Sequence, residues 1–114
     1  MKKTALLIAF SLTSILLTLA YGQEAGTISG LVRDSAQKPL DGAVVSLLLV
    51  KDSSLVKSAL TEPNGSFLFS NLKDEVYFVL VTEMEHQKYR SQEIVLDESH
   101  RAVIVPEIAL LSPQ

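Results

Sequence analysis

Two short clusters of carboxylates and histidines are the groups in this sequence whose types are best suited to chemistry. They are Glu83, Glu85 and His86, and Asp97, Glu98 and His100. Carboxylate oxygens at such close spacing could bind a hard divalent cation. The same residue types are typical of solvated loops, and both clusters interrupt apolar runs at polar stretches. We expect solvated loops, so the sequence predicts no metal-ligating residue.

Hydroxyl side chains suggest a hydrolase about as weakly. Ser53-Ser54 and Ser99-His100 are the pairs that could contain a nucleophile. A serine nucleophile needs a base that is itself held by a third group, and adjacency in sequence does not supply that geometry. Cys is absent, which excludes thiolate chemistry and disulfides. We therefore predict no catalytic and no cofactor-binding residue. We also predict that the chain is not an enzyme.

A turn sequence near the middle of the chain organises the predicted structure. Pro63-Asn64-Gly65 lies between two apolar segments, Leu55–Thr61 and Phe67–Phe69. Proline sets its own φ, and Asn and Gly tolerate the conformations of a tight reversal, so this pattern predicts a β-hairpin. Phe67 and Phe69 share one face of their strand, which predicts that both rings lie in the core.

The remaining apolar segments predict an all-β sandwich of about seven strands. The predicted strands are Gly26–Asp34, Ala43–Val50, Leu55–Thr61, Phe67–Ser70, Val76–Thr82, Tyr89–Leu96 and Arg101–Leu110. Gly30 inside the first strand indicates a close backbone approach or a bulge. Pro106 predicts that the last strand lies at a sheet edge or bends there.

Two predicted strands, Ala43–Val50 and Val76–Thr82, are apolar at both parities. Either both of their faces are buried, or one face docks a partner. We expect burial on both faces, because soluble monomers seldom expose large apolar patches.

Residues 1–22 have the layout of a secretory signal peptide. Lys2 and Lys3 precede an uncharged run, Thr4–Ala20, and small residues lie at Ala20 and Gly22 before a cut at Gln23. The alternative is an uncleaved membrane anchor, for which a run of 17 residues is short. We predict a cleaved, helical signal that engages only the secretion machinery.

Charge and size limit the classes of partner. The 114 residues suit one domain, and 10 basic against 13 acidic residues give a net charge of −3. Removal of residues 1–22 leaves 8 basic and 13 acidic residues. This balance gives no reason to expect a nucleic-acid partner.

The strands and turns also carry a set of spaced motifs. These are Ile28-x-Gly30-x-Val32-x-Asp34, Pro39-Leu40-x-Gly42-Ala43-x-Val45, Thr61-x-x-x-Gly65-x-Phe67-x-Phe69-x-x-Leu72 and Tyr77-x-Val79-x-Val81. The set resembles the carboxypeptidase regulatory-like domain, a seven-stranded transthyretin-like sandwich, over residues 26–111. Two positions depart from that pattern: Asp74–Val76 stands where the family usually has Gly before the Tyr, and only Tyr89 of a usual Gly-aromatic pair is present.

The resemblance implies an accessory module rather than a peptidase. Zinc carboxypeptidases bind their metal through a His-x-x-Glu pair in another domain. Here His86 is followed by Gln87-Lys88-Tyr89, and His100 by Arg101-Ala102-Val103, so neither provides the Glu.

In Gram-negative bacteria such a domain often follows a signal peptide and precedes the plug and barrel of a TonB-dependent outer-membrane receptor. The resemblance therefore implies an exported module of the periplasm or outer membrane that assists nutrient uptake by docking or spacing. Its partner would be the receptor plug and barrel or another envelope protein, and residues 112–114 would begin a linker or a truncated tail. The alternative is a stand-alone module that binds protein or carbohydrate. A glycan would stack on Tyr89, because Tyr77 is expected in the core.

Overall fold

The computed structural model describes residues 25–112, so the predicted signal peptide over residues 1–22 lies outside the described part of the chain. Within that part the secondary structure is entirely β. The strands are β1 Gly26–Asp34, β2 Val44–Leu49, β3 Leu55–Leu60, β4 Ser66–Leu72, β5 Val76–Thr82, β6 Tyr89–Arg90, β7 Ile94–Val95, β8 Ala102–Ile104 and β9 Ile108–Leu110. Between residues 25 and 112 there is no helix of the length and apolarity needed to cross a membrane.

The strands form two facing sheets, which confirms the predicted all-β sandwich. The first sheet has the order β4-β1-β8, and β9 also pairs with β1. The second has the order β3-β2-β5-β6, and β7 also pairs with β5. All pairs are antiparallel except those of β8 and β9 with β1, which are parallel.

The core lies between the sheets and is built from alternate residues of each long strand. β1 shows the pattern most clearly, because Ile28 and Val32 are fully buried while their neighbours are half-buried. Phe67 and Phe69 of β4 are both buried, with ring centroids 5.9 Å apart, so their predicted place in the core is confirmed.

Gly30 allows the close approach that its position in a strand predicts. It pairs with Phe67, and a Cβ on Gly30 would lie 2.6 Å from Cζ of that ring. Any larger residue here would displace a core aromatic side chain.

The predicted hairpin between β3 and β4 is wrong. A tight turn is present, because the Gly65 N–H donates to the Glu62 carbonyl at 2.8 Å, with Pro63 and Asn64 between them. However, β3 pairs with β2 in the second sheet, and β4 pairs with β1 in the first. The turn therefore carries the chain from one sheet to the other.

Long-range hydrogen bonds to both ends of this turn explain the crossing. The buried Thr61 Oγ1 donates to the Leu40 carbonyl at 2.6 Å and accepts from the Ala43 N–H at 2.9 Å. At the other end, the Val32 N–H donates to the Gly65 carbonyl at 2.8 Å. Thr61 is thus held beside β2, whereas Gly65 is held beside β1.

The expected seven strands are nine, because the last two predicted strands are each broken. Tyr89–Leu96 divides into β6 and β7 at Ser91, whose Oγ accepts the Val79 N–H at 2.9 Å. Arg101–Leu110 divides at residues 105–107, and both halves lie at the edge of the first sheet. The effect predicted for Pro106 is confirmed.

Candidate functional site

The outer surface of the second sheet carries the largest set of outward-facing apolar residues on its paired strands. Strand register places these side chains on the face of the sheet that points away from the core. Val45, Leu47 and Val79 lie on the other face and are fully buried. We call this set the outer apolar face: Val44, Leu48, Leu55, Leu60, Val76, Phe78, Leu80 and Val95.

Burial on both faces of the doubly apolar strands was expected, and the structure shows this only in part. Phe78 of β5 is 3% exposed, whereas Val44 of β2 is 38% exposed and Leu48, Val76 and Leu80 are half-buried. On the neighbouring strands of the same face, Leu55 is 61% exposed, Leu60 64% and Val95 48%. Antiparallel sheets usually present polar residues on a face that meets water, so an exposed apolar face is a candidate interaction site.

Phe78 shows how part of this face is shielded. It points outward by its register opposite Leu48, yet only 3% of its surface is exposed. The guanidinium carbon of Arg90 lies 4.0 Å from the ring centroid. This cation–π contact covers the ring and places a positive charge within the outer apolar face.

A second feature is a cavity of about 720 Å³ at the seam where β6 and β7 of the second sheet meet β8 of the first. We call it the seam cavity. Its apolar lining includes Ile94 and Val103, and its polar lining includes Tyr89, Glu93, Asp97 and His100. The Asp97 Oδ1 accepts hydrogen bonds from His100 Nδ1 at 3.0 Å and from the Ser99 N–H at 2.9 Å. The bond from His100 lowers the pKa of the Asp97 carboxyl below its ordinary value.

The other carboxylate–histidine cluster forms a turn. Glu83 Oε2 and His86 Nδ1 are hydrogen-bonded to each other, and this bond lowers the pKa of Glu83. The Glu85 N–H also donates to Glu83, at 3.1 Å. In residues 25–112, no three His, Asp or Glu side chains converge as metal ligands would.

The serine pairs serve turns as well. Ser54 donates to Asp52 through both its backbone N–H, at 3.0 Å, and its Oγ, at 2.7 Å. The Oγ–H bond lowers the pKa of Asp52. Ser53 adopts a φ of 59°, which fits the same turn. Within residues 25–112, neither Ser53 nor Ser54 forms a hydrogen bond with a histidine. Ser99 contacts Asp97 through its backbone N–H.

Tyr77 and Tyr89 differ in burial, and Tyr77 lies in the core as the sequence predicts. Tyr77 is 2% exposed, its hydroxyl donates to the Lys73 carbonyl at 2.7 Å, and burial raises its pKa. Tyr89 is half-buried at the seam cavity. Among residues 25–112 no aromatic side chain is fully exposed, so the described surface has no broad ring platform for sugars.

Solved structures share this architecture at low sequence identity. Hydroxyquinol 1,2-dioxygenase from Pseudomonas putida matches with a TM-score of 0.60 and 8% identity, over 79% of this chain and 57% of the enzyme. The group B streptococcus pilus 2b backbone protein matches with 0.61 and 16%, over 78% and 42%. The major pilin subunit of Bacillus cereus matches with 0.58 and 18%, over 79% and 31%. The chain thus spans between 31% and 57% of these proteins.

These neighbours correct the prediction that the chain is not an enzyme. That prediction treated the sandwich as an accessory fold, yet the same fold occurs in hydroxyquinol and catechol dioxygenases. The fold class is therefore no ground for excluding catalysis. At 8% to 11% identity the likeness concerns the fold alone, and it assigns no activity to this chain.

The comparison with protein families agrees with the motif set described above. No curated protein matches the sequence. Residues 27–110, well over half of the chain, match the carboxypeptidase regulatory-like domain, and the all-β sandwich agrees with that match. The resemblance drawn from the spaced motifs is confirmed, and this chain belongs to the carboxypeptidase regulatory-like domain family.

Proposed function

We propose that this domain is a docking and spacing module of the bacterial cell envelope, acting as the N-terminal extension of a TonB-dependent outer-membrane receptor. The outer apolar face is its docking surface, and the receptor plug or barrel is its partner. The observation that carries the proposal is the exposure of this face, with Leu55 61% and Leu60 64% exposed.

The chemistry of the face suits a protein partner. Its apolar side chains lie on regular strands of one sheet, so the surface is rigid and needs little ordering on binding. Arg90, stacked on Phe78, combines charge with a large apolar contact, and both residue types are enriched in interface cores. Neighbouring Leu48 and Leu80 extend the apolar contact.

The predicted export signal and the family membership support the proposed envelope location. The basic, apolar and small-residue order of residues 1–22 has the form of a secretory signal. Residues 27–110 match the family whose resemblance implies a domain that precedes a receptor plug. The net charge of −3 does not favour nucleic acid.

The proposal is tested by photo-crosslinking in cells of the native host. A photoreactive amino acid replaces Leu55 in one variant and Leu68 in the other. Leu68 is a matched control, because it is 62% exposed and faces outward from the opposite sheet. We expect the Leu55 probe to form a crosslink to peptides of a TonB-dependent receptor, and the Leu68 probe to form far less of it.

Peptide mapping of the crosslink decides the outcome. Receptor plug or barrel peptides joined at position 55 support the proposal, whether the receptor is a separate chain or a continuation of this one. Equal receptor crosslinking from both positions, or none from position 55, contradicts it.

A further inference from the structure

The seam cavity has the chemistry of a second binding site, which borders the outer apolar face at Val95. We infer that it binds a cationic group carried on an apolar stem, either a lysine or arginine side chain of another polypeptide or a small organic amine. The inference rests on the cavity between Glu93, Asp97 and Tyr89, and it does not depend on the proposed docking function.

Two carboxylates give the cavity its charge. Glu93 is exposed, and its carboxylate forms no ion pair or side-chain hydrogen bond within residues 25–112. Both hydrogen bonds to the Asp97 carboxylate end on Oδ1, so within the same described segment Oδ2 has no partner. No lysine or arginine of the described residues lines the cavity. The site therefore offers free acceptor capacity for a cation, and no lysine or arginine of its lining competes for it.

His100 and Tyr89 are the other titratable groups at the cavity. His100 Nδ1 is hydrogen-bonded to Oδ1 of Asp97 at 3.0 Å, so this bond does not use Oδ2 of the carboxylate. Tyr89 packs against the core with the body of its ring while lining the cavity. An aromatic ring beside carboxylates adds cation–π attraction to the charge attraction.

The apolar lining accounts for the stem. Ile94 is 6% exposed and Val105 5% exposed, and both line the cavity together with Pro106. A volume of about 720 Å³ falls within the ordinary range of small-ligand sites. Lysine, arginine and alkylamines combine an apolar stem with a cationic head, which matches a lining of this kind.

NMR titration of the full-length protein tests the inference with three probes. Nα-acetyl-lysine methylamide represents a side chain from a polypeptide, and n-butylamine represents a free amine. Nα-acetyl-norleucine methylamide has the apolar stem without the charge. We expect saturable shifts of backbone amides near Glu93 and Asp97 with both cations, weakened at about 0.5 M salt, and no such shifts with norleucine.

Matched variants separate a built site from general surface attraction. Glu93→Gln and Tyr89→Leu should each weaken cation binding about two- to fivefold. Glu98→Gln removes the same charge from an exposed residue that does not line the cavity, and should leave the affinity unchanged. Tighter binding of the lysine derivative would indicate a polypeptide source, and tighter binding of butylamine a small molecule.

Either preference supports a cation site. The inference is overturned if norleucine shifts the same amides as strongly as lysine. It is also overturned if Glu93→Gln and Glu98→Gln bind the cations with equal affinity, and this comparison holds even if Tyr89→Leu proves unstable.

Discussion

Gly65 is the residue whose replacement should test the crossing between the two sheets most clearly. Its φ is +83°, in the left-handed region that glycine adopts without steric cost. A Cβ at this position would overlap the Val32 carbonyl oxygen, a backbone atom of β1. We therefore expect Gly65→Ala to strain the turn and to push it away from the first sheet.

The size of the effect follows from two contributions. Left-handed backbone costs a non-glycine residue about 1–2 kcal/mol, offset by about 0.4–1 kcal/mol from the reduced entropy of the unfolded chain. Overlap with a fixed backbone atom adds about 1–3 kcal/mol, as overpacking does elsewhere. The free energy of unfolding should therefore fall by about 2–4 kcal/mol in Gly65→Ala.

Gly42 provides a control that carries only the first contribution. Its φ is +75°, and a Cβ there would meet nothing within 4 Å. Gly42→Ala should therefore cost about 0.5–1 kcal/mol. Urea unfolding followed by circular dichroism measures the free energy of unfolding of both variants. In thermal unfolding we expect the Tm of Gly65→Ala to lie about 5–20 °C below that of Gly42→Ala.

Equal destabilisation by the two substitutions would refute this reasoning. It would mean that Gly65 is not pressed against the Val32 carbonyl, and that the chain does not cross between sheets at this turn. An unchanged stability of Gly65→Ala would refute the left-handed turn as well.

Two further predictions concern hydrogen bonds. Thr61→Val keeps the shape of the side chain but leaves the Leu40 carbonyl and the Ala43 N–H without their partner, so urea unfolding should show a loss of about 1–3 kcal/mol. A stability within error of the unsubstituted protein would contradict the role of Thr61. The bond from His100 lowers the pKa of folded Asp97 below 3.8, so the unfolded state binds this proton more tightly. The stabilisation from this bond is complete above the pKa of Asp97 in the unfolded chain. It is lost as the pH falls through the lower pKa of Asp97 in the folded protein. The Tm difference between Asp97→Asn and the unsubstituted protein should therefore be larger at about pH 6 than at about pH 2, and an equal difference at both would contradict it.

Local patterns were sufficient to predict the five long strands and most of the core, but not the two breaks near the end of the chain. Alternation in β1 identifies Ile28 and Val32 as inward residues, and the shared parity of Phe67 and Phe69 identifies their common face. These features depend on neighbours within a few residues, where the period of a strand is decisive. Gly30 and Pro106 were interpretable for the same reason.

The path of the chain after Thr61 could not be predicted in this way. The turn at Pro63-Asn64-Gly65 has the same local chemistry whether it joins paired strands or strands of different sheets. The choice depends on contacts that are distant in sequence, such as Thr61 with Leu40 and Gly65 with Val32. Turn residues alone therefore favoured a hairpin that does not exist.

The candidate sites were only partly predictable. The apolar residues at both parities of β2 and β5 indicate an unusual face, but they do not show whether anything covers it. The seam cavity depends on the break at Ser91, where a side-chain hydroxyl takes a ladder hydrogen bond from Val79. Neither its lining nor the pairing of Asp97 with His100 follows from periodicity.

Substitution at the outer apolar face provides the most direct measurement of the central claim. Leu55→Glu and Leu68→Glu introduce the same charge at equally exposed leucines on opposite sheets, 61% and 62% exposed. The amount of a TonB-dependent receptor that copurifies with each variant from native-host envelopes is then measured, with the Tm of each as a folding control. We predict that Leu55→Glu lowers receptor recovery about tenfold or more while Leu68→Glu leaves it unchanged. Full recovery with Leu55→Glu, or an equal loss in both folded variants, would contradict docking through this face.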